Sequence, residues 1–133
     1  MKVVRAEEVP AEAVGEGAQG TTIRWLISKE MGAPNFAMRL FEIAPGGHTP
    51  LHQHPWEHEV YILSGTGCVS VVRKEGKTEE GGVWSASYAT DLKPGTAVLV
   101  EPNEKHQFHN TGSEPLCMLC LVPHSEPKRG PGR

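Results

Sequence analysis

Short apolar runs with alternating polar positions recur along the chain, separated by Gly and Pro. They are TTIRWLIS from Thr21, NFAMRLFEI from Asn35, EVYILSG from Glu59, GCVSVVRK from Gly67, TAVLVEP from Thr96, HQFHN from His106 and PLCMLCLV from Pro115. Runs of this length with a period of two predict β-strands, and their even spacing predicts an all-β barrel or sandwich. The GTG at 65–67 marks a tight hairpin between EVYILS and CVSVVR, with a polar turn, EGKTEEGG, further on. Residues 81–95, GGVWSASYATDLKPG, read as an added hairpin or loop carrying Trp84 and Tyr88. Residues 1–20 are polar and predict an N-terminal arm with at most a turn of helix. The tail from Pro123, with little to bury, predicts a disordered C-terminal segment, residues 123–133. One domain remains, residues 21–122, with no internal repeat.

Composition supports this division. Gly and Pro make up 26 of 133 residues, about a fifth against an average near 12%, so no long helix avoids both. The 13 basic and 16 acidic residues leave a net charge of −3, without the basic field that nucleic acid or an anionic membrane surface would require. The apolar runs are too short to span a bilayer, and the first residues carry acids where a signal peptide has an apolar stretch. The expectation is a cytoplasmic protein without nucleic-acid or membrane partners. Its three cysteines cannot all pair, so they are expected as free thiols.

Histidine is the unusual residue, seven in all, four of them (His48, His52, His54 and His58) within PGGHTPLHQHPWEHEVYILSG. Two histidines at i and i+2 on a strand share a face with Cα atoms about 6.6 Å apart, close enough for both rings to reach one ion. His52 and His54 have that spacing. On a straight strand His58 would lie too far away, but Pro55 favours a corner that swings it back. A neighbouring strand can deliver His106, completing a neutral four-imidazole site for a divalent transition metal: Mn, Fe, Co, Ni, Cu or Zn. Any one of these histidines alone reads as a surface or packed residue; the spacing is what points to a metal.

These residues resemble the cupins, small β-barrels (double-stranded β-helix, or jelly roll) whose first motif is G(x)5HxH(x)3-4E(x)6G. Gly46, His52, His54, His58 and Gly65 keep every spacing, with His58 where most cupins have Glu. The second motif, G(x)5PxG(x)2H(x)3N, is looser: Gly95, Pro102, His106 and Asn110 are recognisable, one residue is missing between Pro and His, and the inner Gly is absent. APNFAMRLFEIAPGG, HPWEHEVYIL and VEPNEKHQF resemble small single-domain manganese cupins of thermophilic bacteria, relative to which 81–95 looks like an insertion. The resemblance implies a homodimeric barrel with Mn or a similar ion on four imidazoles and two open positions. Fold and site transfer on such a resemblance; the reaction does not.

Strand parity then sorts the surroundings. Phe108 and Asn110 fall on the metal side with His106, while Met118 and Cys120 share one face of the last strand, opposite Cys117 and Leu119. Phe108, Met118 and Cys120 are expected to shape a pocket. Arg39 shares a face with Ala37, Phe41 and Ile43; if that face is interior, its guanidinium is placed for a substrate carboxylate, enolate or carbonyl oxygen, and otherwise for a salt bridge. Glu57 and Glu59 point away from the ion but are close enough to orient a ligand ring. Trp56 is expected under the metal loop, and Trp25 and Trp84 in the core or at a dimer surface. His48 is a candidate to support a ligand; His109 and His124 read as exposed.

Three functions follow for a small-molecule substrate. The first is a metal-dependent oxygenase or oxidoreductase, dioxygenase-like, on a small apolar or aromatic compound, with Arg39, Phe108 and Cys120 at the catalytic pocket. The second is a Lewis-acid isomerase, lyase or polyketide cyclase, for which no acid or base stands out. The third is a non-catalytic small-molecule binding module.

Overall fold

The computed structural model describes residues 1–124 and is almost entirely β. Among the described residues nine strands form one curled sheet: β1 Glu12–Ala13, β2 Gln19–Ile27, β3 Phe36–His48, β4 His58–Ser64, β5 Gly67–Lys77, β6 Val83–Leu92, β7 Ala97–Val100, β8 Lys105–Asn110 and β9 Leu116–Pro123. The lateral order is β6-β5-β8-β3-β9-β4-β7, with β2 also on β3 and β1 on β2. All ladders are antiparallel.

Alternation decides which side chains fill the barrel. His58, Val60 and Ile62 of β4, His106, Phe108 and Asn110 of β8, and Leu116, Met118, Cys120 and Val122 of β9 are buried, while residues between them face outward. Ile43, Ile62 and Leu116 are fully buried at the centre of the core. Asn110 is buried without penalty because its amide donates to the Ile43 and Glu114 carbonyls, each at 2.8 Å, and its Oδ1 accepts the Gly112 N–H. Gly65, at φ 84°, closes the β4–β5 turn; a Cβ there would run into the Pro115 carbonyl.

Two boundaries differ from the sequence expectations, those of the arm and the tail, and residues 81–95 take the hairpin form of the two expected. The arm contributes a single 3₁₀ turn, Ala6–Glu8, and then two residues that pair with β2, Glu12 opposite Ile23 and Ala13 opposite Thr22. Arg24 fixes this segment by donating to the Ala6 and Val9 carbonyls. Residues 81–95 contain a full strand, β6, paired along nearly all of β5; as an outer strand it leaves Trp84 and Tyr88 exposed. The barrel also extends past its expected end. Pro123 closes β9, and the His124 N–H donates to the Asn35 carbonyl, so the expected disorder fails at both residues; the remainder of that expectation, 125–133, lies outside the described residues.

Candidate metal centre

Backbone hydrogen bonds join the two distant histidine motifs. His52 pairs with His106 in an isolated antiparallel bridge, each N–H donating to the other's carbonyl at 3.2 and 3.0 Å. The loop after His54 bends at Pro55–Trp56, and Asn103, at φ 67°, donates its N–H to the His54 carbonyl at 2.7 Å. The two segments therefore arrive side by side. One ring nitrogen each from His52, His54 and His106 lie within 4.8 Å of one another.

His58 enters from β4. Its Nε2 is 2.5 Å from His54 Nε2, and its ring lies 5.2 Å from that of His106, yet it is outside the mutually convergent trio. Three rings are anchored from behind through Nδ1: His54 on the Trp56 carbonyl at 3.1 Å, His106 on the Glu104 carbonyl at 2.7 Å, and His58 on Cys120 Sγ at 3.3 Å. Trp56 stacks flat on His54, centroids 4.7 Å apart and planes 3° from parallel. This is the expected place beneath the metal loop.

Burial and mutual proximity keep these imidazoles uncharged. Burial first, then the neighbouring histidines and the Arg39 guanidinium, push His58 down to about 2. His52 falls to about 4, mainly through burial and then His106 and His54. Burial also lowers His54 and His106, against the pull of their carbonyl partners. Neutral imidazoles, three of them with a convergent ring nitrogen and three with Nδ1 held from behind, are a donor set suited to a divalent transition metal. The residues fit such an ion.

The site stands between two hollows. An inner cavity of about 350 Å³ is walled by Phe41, Val60, Phe108, Met118 and Cys120 and reaches His52, His58 and His106. An outer hollow of about 790 Å³ reaches His52, His54 and His58 and is bounded by Trp56 and Val122. Arg39, Trp25 and Glu12 line both.

The face carrying Arg39 is interior. Its guanidinium lies 5.5 Å from the Trp25 ring and 5.0 Å from that of Phe41, and Nη2 donates to Cys120 Sγ at 2.8 Å. Its buried Nε has no partner, and no carboxylate pairs with it among the described residues. Burial raises the Cys120 thiol, opposed by Arg39.

Other candidates lie away from the centre. Glu57 and Glu59 are exposed and border a separate groove with Phe36 and Leu121. His48 is held by the Thr49 carbonyl and Gln107 on the outer side and faces His109, centroids 5.8 Å apart. His109 and His124, expected exposed, are half-buried. Two further residues line the cavities: Trp25, expected in the core or at a dimer surface, and Glu12, which lies in a polar stretch without any periodic pattern and has no sequence signal. Glu12 stands opposite Ile23 and so shares the face of Trp25 and Arg39.

The sequence pattern of the cupin domain matches residues 39–122. Among solved structures, the chain is similar to the polyketide cyclase RemF from Streptomyces resistomycificus, 33% identical, with 96% of this chain and 82% of that one covered at a TM-score of 0.75. It is also similar to a predicted oxalate decarboxylase from Thermotoga maritima, 28% identical, with 92% and 98% covered at 0.69. Among curated proteins, 1-methylthio-D-xylulose 5-phosphate methylsulfurylase of Rhodospirillum rubrum is 32% identical over 85 residues, 64% of this chain and 46% of that protein. Auxin-binding protein 1 of Arabidopsis thaliana is 28% identical over 79 residues, 59% and 37%. The matches thus span less than half the length of these curated relatives.

Proposed function

From the premise that this chain belongs to the cupin family, we propose that it is a metal-dependent enzyme of the Lewis-acid class, an isomerase, lyase or cyclase acting on a small, largely apolar or aromatic substrate through an enolate-like oxygen. The observation that carries this reading is Arg39, a cation without an acidic partner among the described residues, in a largely apolar cavity beside the imidazoles. His52, His54, His58 and His106 would hold the ion, with Mn the first choice and Fe, Co, Ni, Cu and Zn its competitors. Bound there, a divalent ion supplies Lewis acidity toward a substrate oxygen. Arg39 holds the same developing negative charge from the side, in a cavity where Phe41, Phe108 and Met118 keep water away and strengthen that attraction. Trp25 offers a flat surface to an aromatic substrate, and Glu12 is the carboxylate at the cavity that can take up or return a proton. The similarity to a polyketide cyclase supports this reading.

The oxygenase expected from sequence is the second reading, favoured by the same apolar walls. A 1,3-diketone such as 1-phenylbutane-1,3-dione separates the two. Tag-free protein loaded singly with Mn, Fe, Co or Zn is expected to speed exchange of the central C–H with solvent deuterium, seen by NMR, without consuming O₂. Stoichiometric O₂ uptake would replace the proposal with the oxygenase; absence of both activities and of retained metal would leave the binding module.

The proposed partner is a second copy of the chain. Strand β9 lies between β3 and β4 and is apolar on both sides, with Leu119 and Leu121 turned outward among Met38, Tyr61 and Leu99. A strand of that kind belongs between two covered faces. Among the described residues no helix is long and apolar enough to cross a membrane, and a cytoplasmic location is proposed with the rest.

A further inference from the structure

Three of the four imidazoles rest their outward nitrogen on a fixed acceptor, and only one of those acceptors is a side chain. His54 and His106 use the Trp56 and Glu104 carbonyls, which survive any ordinary substitution; His58 uses Cys120 Sγ at 3.3 Å. The register explains why the sulfur is there. Cys120 of β9 stands directly opposite Arg39 on β3 and Val60 on β4, and His58, two residues before Val60, projects to the same side. Cys120 is 2% exposed within a central strand, so its sulfur cannot drift from this position.

We propose that Cys120 is a positioning residue for the metal centre. Its sulfur accepts the His58 Nδ1–H and so turns Nε2 toward the other imidazoles, while the Arg39 Nη2–H donates to the same sulfur at 2.8 Å and holds it in line. Arg39, Cys120 and His58 form one hydrogen-bonded row from the cavity cation to a ligand ring. The inference rests on the reading that His58 is a ligand. It assigns Cys120 no bond to the ion and no bond to the substrate.

The test is a Co²⁺ titration of the ion-free, tag-free full chain, followed by visible absorption, in wild type, Cys120→Ala, Cys120→Ser and His58→Ala. Loss of an acceptor behind a ligand ring weakens metal binding about 10- to 100-fold. Cys120→Ala is therefore expected to bind Co²⁺ more weakly by that factor with shifted d–d bands, and Cys120→Ser, whose hydroxyl can accept the same N–H, to recover most of both. Wild-type affinity and spectrum in Cys120→Ala would overturn the proposal, as would a Ser variant no better than Ala, which would assign the effect to packing. An intense near-ultraviolet sulfur-to-cobalt band in the wild type would make Cys120 a ligand and overturn it equally. His58→Ala reads the underlying assumption separately: wild-type binding there removes His58 from the ligand set. A loss in His58→Ala with none in Cys120→Ala overturns the present inference alone. A second measurement needs no variant. In ¹⁵N-histidine-labelled ion-free protein, His58 is expected as the Nδ1–H tautomer, and an Nε2–H tautomer would refute the proposed contact.

Discussion

Replacing Arg39 with Met should leave the fold nearly as stable as before while removing the cavity's capacity for an anionic ligand. A buried donor left without a partner costs about 1–3 kcal/mol, and Arg39 Nε is such a donor. Against this stand two guanidinium–aromatic contacts, to Trp25 and Phe41, worth about 0.5–1 kcal/mol each, and one hydrogen bond to Cys120 worth about 0.5–1.5 kcal/mol. Met has a similar length and regains some of the aromatic contact through its sulfur, about 0.3–1.5 kcal/mol. The opposing contributions nearly cancel, so Arg39→Met is expected within about 1 kcal/mol of wild type, a shift in Tm of about 5 °C or less for a chain of this size. The assay is urea unfolding of the ion-free protein, paired with titration of a carboxylate probe such as benzoate into metal-loaded protein. A stability loss of about 3 kcal/mol or more is the signature of breaking a buried charge pair and would refute the view that Arg39 is unpaired. Unchanged benzoate affinity would remove Arg39 from the ligand site.

Three further outcomes are expected. His54→Ala should retain far less metal than wild type, whereas His109→Ala should match it; equal metal content in the two variants, by elemental analysis, would overturn the ligand assignment. In the ion-free protein, His58 at about 2 and His52 at about 4 lie below the ordinary histidine value of about 6.5. As pH falls through about 6.5 the unfolded chain takes up protons that the folded site refuses, so stability is full above that pH and declines toward pH 4. The fall in urea midpoint between about pH 7.5 and 5 should be smaller in His58→Gln; parallel curves would remove His58 as a contributor, and a larger fall would contradict the sign. Leu99→Glu, at a residue 57% exposed on the outer face of β7, should convert a dimer to monomer by light scattering without changing the far-ultraviolet circular dichroism, and an unchanged mass would move the interface elsewhere.

The sequence reading succeeded where period and punctuation carried the information. Seven of the nine strands overlap the alternating runs, and parity alone placed Phe108 with His106, Cys120 with Met118, and Arg39 with Phe41 on shared faces, all of them interior. It failed where pairing depends on backbone groups. Strand β1 has two exposed residues and is defined only by its partner, so Glu12 at the cavity had no local signature. Strand β6 has a solvent-facing edge, and its single fully buried residue, Leu92, gives no alternation to detect. Strand β3 continues through Pro45-Gly46-Gly47, a tripeptide that reads as a turn, because Gly47 approaches the Gln19 carbonyl too closely for any side chain. The contact of Cys120 with His58 required the register of β9 against β4, which no single-strand pattern encodes.

The reciprocal bond between His52 and His106 closes a large loop that takes in β4 through β7. A cross-link between such distant points ordinarily acts by shrinking the freedom of the chain, most strongly in the unfolded state. Here two main-chain hydrogen bonds have already closed the loop before any ion arrives. An ion shared by these imidazoles would therefore find its ligands assembled. It would act as a rivet on a finished joint, raising the resistance to unfolding with the logarithm of its free concentration over Kd while leaving the secondary structure as it was.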